Sequence, residues 1–171
     1  DLHHIVSDAH VIFIAIPSEF VVGHVKELKR IGLKKEHTLV ITAKGFDKKS
    51  KLTLFEVLDK ELPGQVVVLS GPNIASEFTR FSKTQTVLAG PSHRVNTVKD
   101  ILSSETFFIQ TSRDALGLSL SGALKNIYAI LLGACHEMGG SINVDSLLFT
   151  QAVKAMRTIV VRAGGKEETV L

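Results

Sequence analysis

Cysteine is nearly missing from this sequence: Cys135 stands alone among 171 residues. An intramolecular disulfide framework is therefore excluded, and a reducing compartment such as the cytoplasm is expected. No stretch reads as a signal peptide or a membrane span, so membrane insertion is not expected. Neither sign of charge dominates, with 20 Lys and Arg against 17 Asp and Glu and a net charge of +3. The lysines gather in short polar segments, Lys34-Lys35 and Lys48-Lys49-Ser50-Lys51. They are not interleaved with aromatics along one face, so a nucleic-acid surface is not expected. No Gly-x-Gly-x-x-Gly loop occurs, and nothing else reads as a nucleotide-binding glycine loop. Repeats and low-complexity tracts are also absent. Cys135 falls in an apolar helical pattern and reads as a small core residue. Its neighbour His136 would face elsewhere on the helix, so no metal site is expected there.

What the sequence does have is enough apolar character to build a core: 44% apolar residues and 22% charged. That suits one domain, or one domain and part of a second. HVIFIAIP (10–17) is a continuous apolar run ended by proline, as in a strand buried on both faces. Phe20 to Ile31 carries apolar residues at helical spacing. HTLVITAKG (37–45), QVVVLSG (65–71) and TQTVLAG (84–90) read as further strands, and TFFIQT (106–111) as a fifth. Helices are expected over 52–62 and 93–102. Strands alternating with helices argue for an α/β layer whose first strands are parallel, with helices on both faces. After Thr111 the pattern becomes helical: one long apolar helix from about Arg113 to Met138, then a second from about Val144 to Ala163 that ends at Gly164-Gly165. A boundary is placed near residue 112, giving an α/β part over 1–112 and a helical part over 113–171.

Open parallel sheets bind ligands at the carboxyl ends of their strands. Three such ends carry special residues: Pro17-Ser18-Glu19-Phe20, Lys44-Gly45 and Ser70-Gly71-Pro72-Asn73. Gly71 permits either a close backbone approach or a positive φ, and Asn73 offers a donor and an acceptor. Lys44 leaves a strand at the edge where ligands bind, which suits an anion-orienting role. Lys125 has Gly122, Ser121, Leu118, Tyr128, Ala129 and Leu132 as helical neighbours, a small and apolar face. A buried ammonium with a lowered pKa is expected there, able to exchange a proton with a reacting oxygen.

VIFIAIPSEF, ITAKGF, LSGPNIASEF, SGALKNIYAI and AGGKEETVL, in order and spacing, resemble the NAD(P)-dependent glycerol-3-phosphate dehydrogenases over nearly the whole chain. The resemblance implies a Rossmann-type N-terminal domain and a helical substrate domain, both partial here. It implies hydride transfer between NAD or NADP and C2 of dihydroxyacetone phosphate or glycerol 3-phosphate, a step that feeds glycerophospholipid synthesis. By the same resemblance, Lys125 is the catalytic lysine, and Lys44 contacts substrate and cofactor. Gly71 and Asn73 bind substrate, and Ala75 and Phe20 lie against the cofactor. The family's glycine fingerprint would precede Asp1 and its GLAGxGD segment would follow Leu171. The chain is thus expected to be an internal piece, inactive by itself and self-associating through an unpaired sheet edge. Ser119 stands where the family has a glutamate, and Phe149-Thr150-Gln151-Ala152 stands where it has ITRG. Those departures leave room for a non-catalytic scaffold relative; a two-domain reductase of small hydroxy acids is the other alternative.

Overall fold

The computed structural model describes residues 2–71 and 83–170. The first helix, α1 (Leu2–Asp8), precedes the edge strand β1 (Val11–Ile14) and helix α2 (Ser18–Arg30). β2 (Thr38–Ile41), α3 (Leu54–Glu61), β3 (Val66–Ser70) and β4 (Thr84–Ala89) follow. The chain continues through α4 (Ser92–Leu102), β5 (Phe107–Ser112), α5 (Ala115–Glu137) and α6 (Ile142–Arg162), and ends in a short 3₁₀ turn, Glu167–Thr169. α1 has no counterpart in the sequence reading, because seven residues are too few to show a helical period.

The five strands form one sheet in the order β1-β2-β3-β4-β5. β1, β2 and β3 are mutually parallel, as the alternating pattern required. β4 pairs antiparallel with β3, and β5 runs parallel to β4, so the sheet is mixed. Periodicity reveals that a strand exists; it carries no information on its direction.

Side chains alternate across the sheet and divide its core into two layers. Leu39, Ile41, Val66 and Val68 face Val21 and Val25 of α2, Leu54 and Leu58 of α3, and Leu118 of α5. On the other face, Val40, Val67 and Leu88 meet Val95 and Val98 of α4. Beyond the sheet, Leu120 and Leu124 of α5 pack on Met156 and Val160 of α6.

Local signals fix the helix ends. Thr53 caps α3: its hydroxyl accepts from Glu56 N, while the Glu56 carboxylate accepts from Thr53 N, a reciprocal capping box. At the end of α6, Gly164 takes φ +95 and donates to Val161 O, and Gly165 donates to Val160 O. That is the Schellman arrangement, which favours glycine at the left-handed position. Arg94 of α4 clamps the opposite, amino-terminal edge of the sheet. Its guanidinium donates to the carbonyls of Lys35, Glu36, His37 and Gly64 and to the Thr38 hydroxyl.

α5 is long and apolar enough to cross a membrane by length and composition, although no such run is evident from the sequence reading. Its first half, through Leu124, is instead packed against protein. Its second half is only partly covered: Tyr128 packs on the Leu120–Leu124 cluster, but Ile127, Ile130 and Leu131 are exposed, and Cys135 is only half-buried rather than a core residue.

Candidate active site

Because β1, β2 and β3 run the same way, their carboxyl ends share one edge. The chain leaves β1 through Pro17 into α2, leaves β2 through Lys44-Gly45, and leaves β3 through Ser70-Gly71. Gly45 has φ +130, a conformation that side-chain-bearing residues rarely adopt. A Cβ at that position would lie 3.8 Å from Ser18 Oγ, so the first two strand ends are in contact. The Lys44 ammonium donates to Gly71 O at 3.4 Å, which joins the second end to the third. The convergence expected from three separate sequence segments is therefore present.

Gly71 is required for a reason other than a turn. Its φ is not in the positive region. A Cβ there would sit 3.1 Å from both Cα and Oγ1 of Thr86 and 3.2 Å from Gln85 O. β4 passes so close that only glycine fits without displacement, and Thr86 Oγ1 donates to Ser70 O in the same contact. Asn73 and Ala75 lie outside the described residues.

α5 reaches this edge from the side. A Cβ at Gly122 would stand 2.9 Å from Ser70 Oγ, 3.5 Å from Lys44 Cγ and 3.7 Å from Lys44 Cδ. The aliphatic stem of Lys44 thus lies on the helix at Gly122, and Lys125 follows three residues later on the same side. Lys44 is half-buried, and its pKa is lowered, first by desolvation and then by the nearby Lys125 charge. Among the described residues neither lysine forms an ion pair.

The expected burial of Lys125 is overturned: its side chain is exposed. The small, apolar face on which that expectation rested is real, but the fully buried stretch ends at Leu124, and in the next turn Tyr128 packs partly on the Leu120–Leu124 cluster while Lys125 stays exposed. Helical spacing identifies an apolar face; it does not supply the element that covers it. The half-buried lysine with the lowered pKa is Lys44. Phe20, in the first turn of α2, is 51% exposed.

Asp114 escapes the sequence reading altogether. It is 7% exposed; its carboxylate accepts from Gly117 N at 2.8 Å, Lys166 N at 2.7 Å and Thr169 Oγ1 at 2.7 Å. It therefore caps α5 and ties that helix to the segment after α6. Only the aspartate directly before the apolar run hinted at it. Its partners more than fifty residues away leave no trace in local sequence.

The chemistry of this edge is that of two ammonium groups, without an ion-pair partner among the described residues, beside a backbone carbonyl and a hydroxyl. Such an arrangement accepts an anion, and it stabilises negative charge that develops on a reacting oxygen.

Comparison with known proteins shows the family of the chain. Residues 1–96 match the family model for the NAD-dependent glycerol-3-phosphate dehydrogenase N-terminus, and residues 114–171 match the model for its C-terminus. A glycerol-3-phosphate dehydrogenase [NAD(P)+] of Acaryochloris marina is 32% identical over 95% of this chain and 53% of its own length. One of Clostridium perfringens is 33% identical over 99% of this chain and 51% of its own. The crystal structure of glycerol-3-phosphate dehydrogenase from Coxiella burnetii superposes with a TM-score of 0.89 at 30% identity. It covers 99% of this chain and 52% of that one. The yeast enzyme superposes at 0.85 with 26% identity, over 99% of this chain and 52% of that one. The chain thus spans about half the length of the relatives it matches. On its sequence, sheet and helices together, the chain belongs to the NAD-dependent glycerol-3-phosphate dehydrogenase family.

Proposed function

We propose that the complete product of this gene reduces dihydroxyacetone phosphate to glycerol 3-phosphate and catalyses the reverse reaction, supplying a precursor of glycerophospholipids. The observation that carries this reading is the meeting of Lys44 and Lys125 at the carboxyl edge of the parallel strands, with Lys44 bonded to Gly71 O. A dianionic three-carbon phosphate relieves the repulsion between the two lysines.

The edge also fits a nicotinamide nucleotide. Gly45 leaves open backbone beside Ser18, and the half-exposed Phe20 ring offers an apolar face. Phe20, Lys44 and Ala75 would hold NAD or NADP, which when bound supplies or accepts the hydride at C2. Lys44, Gly71 and Asn73 bind and orient the substrate. Lys125 donates a proton to the C2 oxygen during reduction and accepts it back when the alcohol is oxidised. An exposed lysine can take this part once substrate and protein enclose it and remove water.

We further infer a nucleotide-facing unit over 1–112 and a substrate-facing unit over 113–171, a cytoplasmic location without membrane insertion, and a homo-oligomeric state. The two family-model matches, 1–96 and 114–171, lie on either side of that boundary. The functional test is loss of nicotinamide absorbance when the complete gene product meets NADH and dihydroxyacetone phosphate. Turnover is expected with this ketone and not with pyruvate or other 2-keto acids. The opposite preference would replace the reading with a hydroxy-acid reductase.

A further inference from the structure

Ser70 and Lys44 both meet α5 at Gly122: a Cβ there would press on Ser70 Oγ at 2.9 Å, while the Lys44 stem lies at ordinary contact distance, 3.5 to 3.7 Å. In the same helix a Cβ at Gly133 would find nothing within 4 Å, while one at Gly117 would meet the Asp114 carboxylate that caps the helix. A glycine inside a helix costs about 1 kcal/mol relative to alanine, so a buried one needs a structural return. Here the missing side chain leaves a notch, and Ser70 Oγ and the Lys44 stem fill it. Ser70 is only 6% exposed, and its hydroxyl makes no hydrogen bond among the described residues. Hydrogen bonding among those residues therefore does not account for its presence. Its size does: it fits the space left by Gly122.

Building on the proposed dehydrogenase reading, we propose that Ser70 and Gly122 are positioning residues, a seat that holds the Lys44 stem against α5. The seat fixes the Lys44 ammonium beside Gly71 O, one helical turn from Lys125. It works by volume. An atom added at the Ser70–Gly122 contact forces β3 and α5 apart there, and the Lys44 stem that rests on the helix moves with it, separating the two cations that receive the substrate.

Three single variants and one double test this in the complete gene product. Gly122→Ala should raise KM for dihydroxyacetone phosphate about tenfold, equivalent to about 1.4 kcal/mol of lost binding. Its circular dichroism spectrum and NADH affinity should stay as in the wild type. Ser70→Thr brings bulk to the same point from the strand and leaves the helix untouched, so it should reproduce the rise. Ser70→Ala loosens the seat and should cost less, about threefold. Combined with Gly122→Ala it removes the 2.9 Å contact, so the double variant should recover most of the loss. In Gly122→Ala the displaced Lys44 is better hydrated, so substrate affinity should also persist to higher pH than in the wild type.

An unchanged KM in both Gly122→Ala and Ser70→Thr would overturn the seat, as would a double variant no better than Gly122→Ala. A Ser70→Ala loss as large as that of Gly122→Ala would also overturn it, by making the hydroxyl a direct substrate contact. Lys44→Met separates the two levels. If it leaves KM unchanged, the functional reading itself fails; if it raises KM while the seat variants do not, only the seat fails.

Discussion

At the residue scale, the role proposed for Lys44 trades stability for binding. Its folded pKa lies below the ordinary 10.5, because desolvation and Lys125 both disfavour its charge. Between those two pH values the unfolded chain holds a proton that the folded chain has lost, so stability rises with pH across that window. Below the lowered pKa the penalty is present in full. Lys44→Met should therefore melt no lower than wild type at pH 7, and the difference should narrow toward pH 10; thermal melts at both values check it. The bound anion reverses the preference by favouring the charged lysine. Substrate affinity should thus be greatest below the lowered pKa and decline as pH climbs toward and past 10.5. Asp114 is the opposite kind of residue, important to the fold and silent in sequence. Asp114→Ala strands two backbone N–H groups and a hydroxyl and should cost about 2–4 kcal/mol in chemical denaturation. Lys44 was legible because it follows a strand directly at the edge where ligands bind. Asp114 and Arg94 were not, because their partners come from distant segments: Lys166 and Thr169 for the first, Lys35 to Thr38 and Gly64 for the second.

At the scale of elements, strand runs and helical spacings located β1 to β5 and α2 to α6 to within a few residues. β2 shows why: all four of its residues are buried, so its apolar run is unbroken. The Thr53–Glu56 capping box sets the start of α3, and Thr53→Ala should cost about 1–2 kcal/mol, read as a lower denaturation midpoint at unchanged slope. Strand direction stayed hidden, since an antiparallel β4 carries the same alternation as a parallel one. The burial of Lys125 was misread at this scale too. The helix keeps its apolar character for two turns past the sheet, but Ile127 and Ile130 are 57% and 74% exposed. Sequence reports what a face could bury, whereas burial needs a second surface.

At the scale of the whole molecule, two features promote association of the 171-residue chain. β1 lies at an edge of the sheet with Phe13 exposed, and the far half of the α5–α6 hairpin carries a row of uncovered apolar residues. The chain should self-associate as its concentration rises, and Phe13→Lys should weaken this by placing charge on the open edge; light scattering across a dilution series measures both. The proposed activity rests on Lys125 standing close enough to Lys44 to act on a bound ketone. The most direct measurement is kcat for dihydroxyacetone phosphate reduction by the complete gene product carrying Lys125→Ala, with NADH affinity measured alongside. Loss of the proton donor should lower kcat by about 10²–10⁴ while NADH still binds as in the wild type. A kcat within twofold of wild type would contradict the assignment.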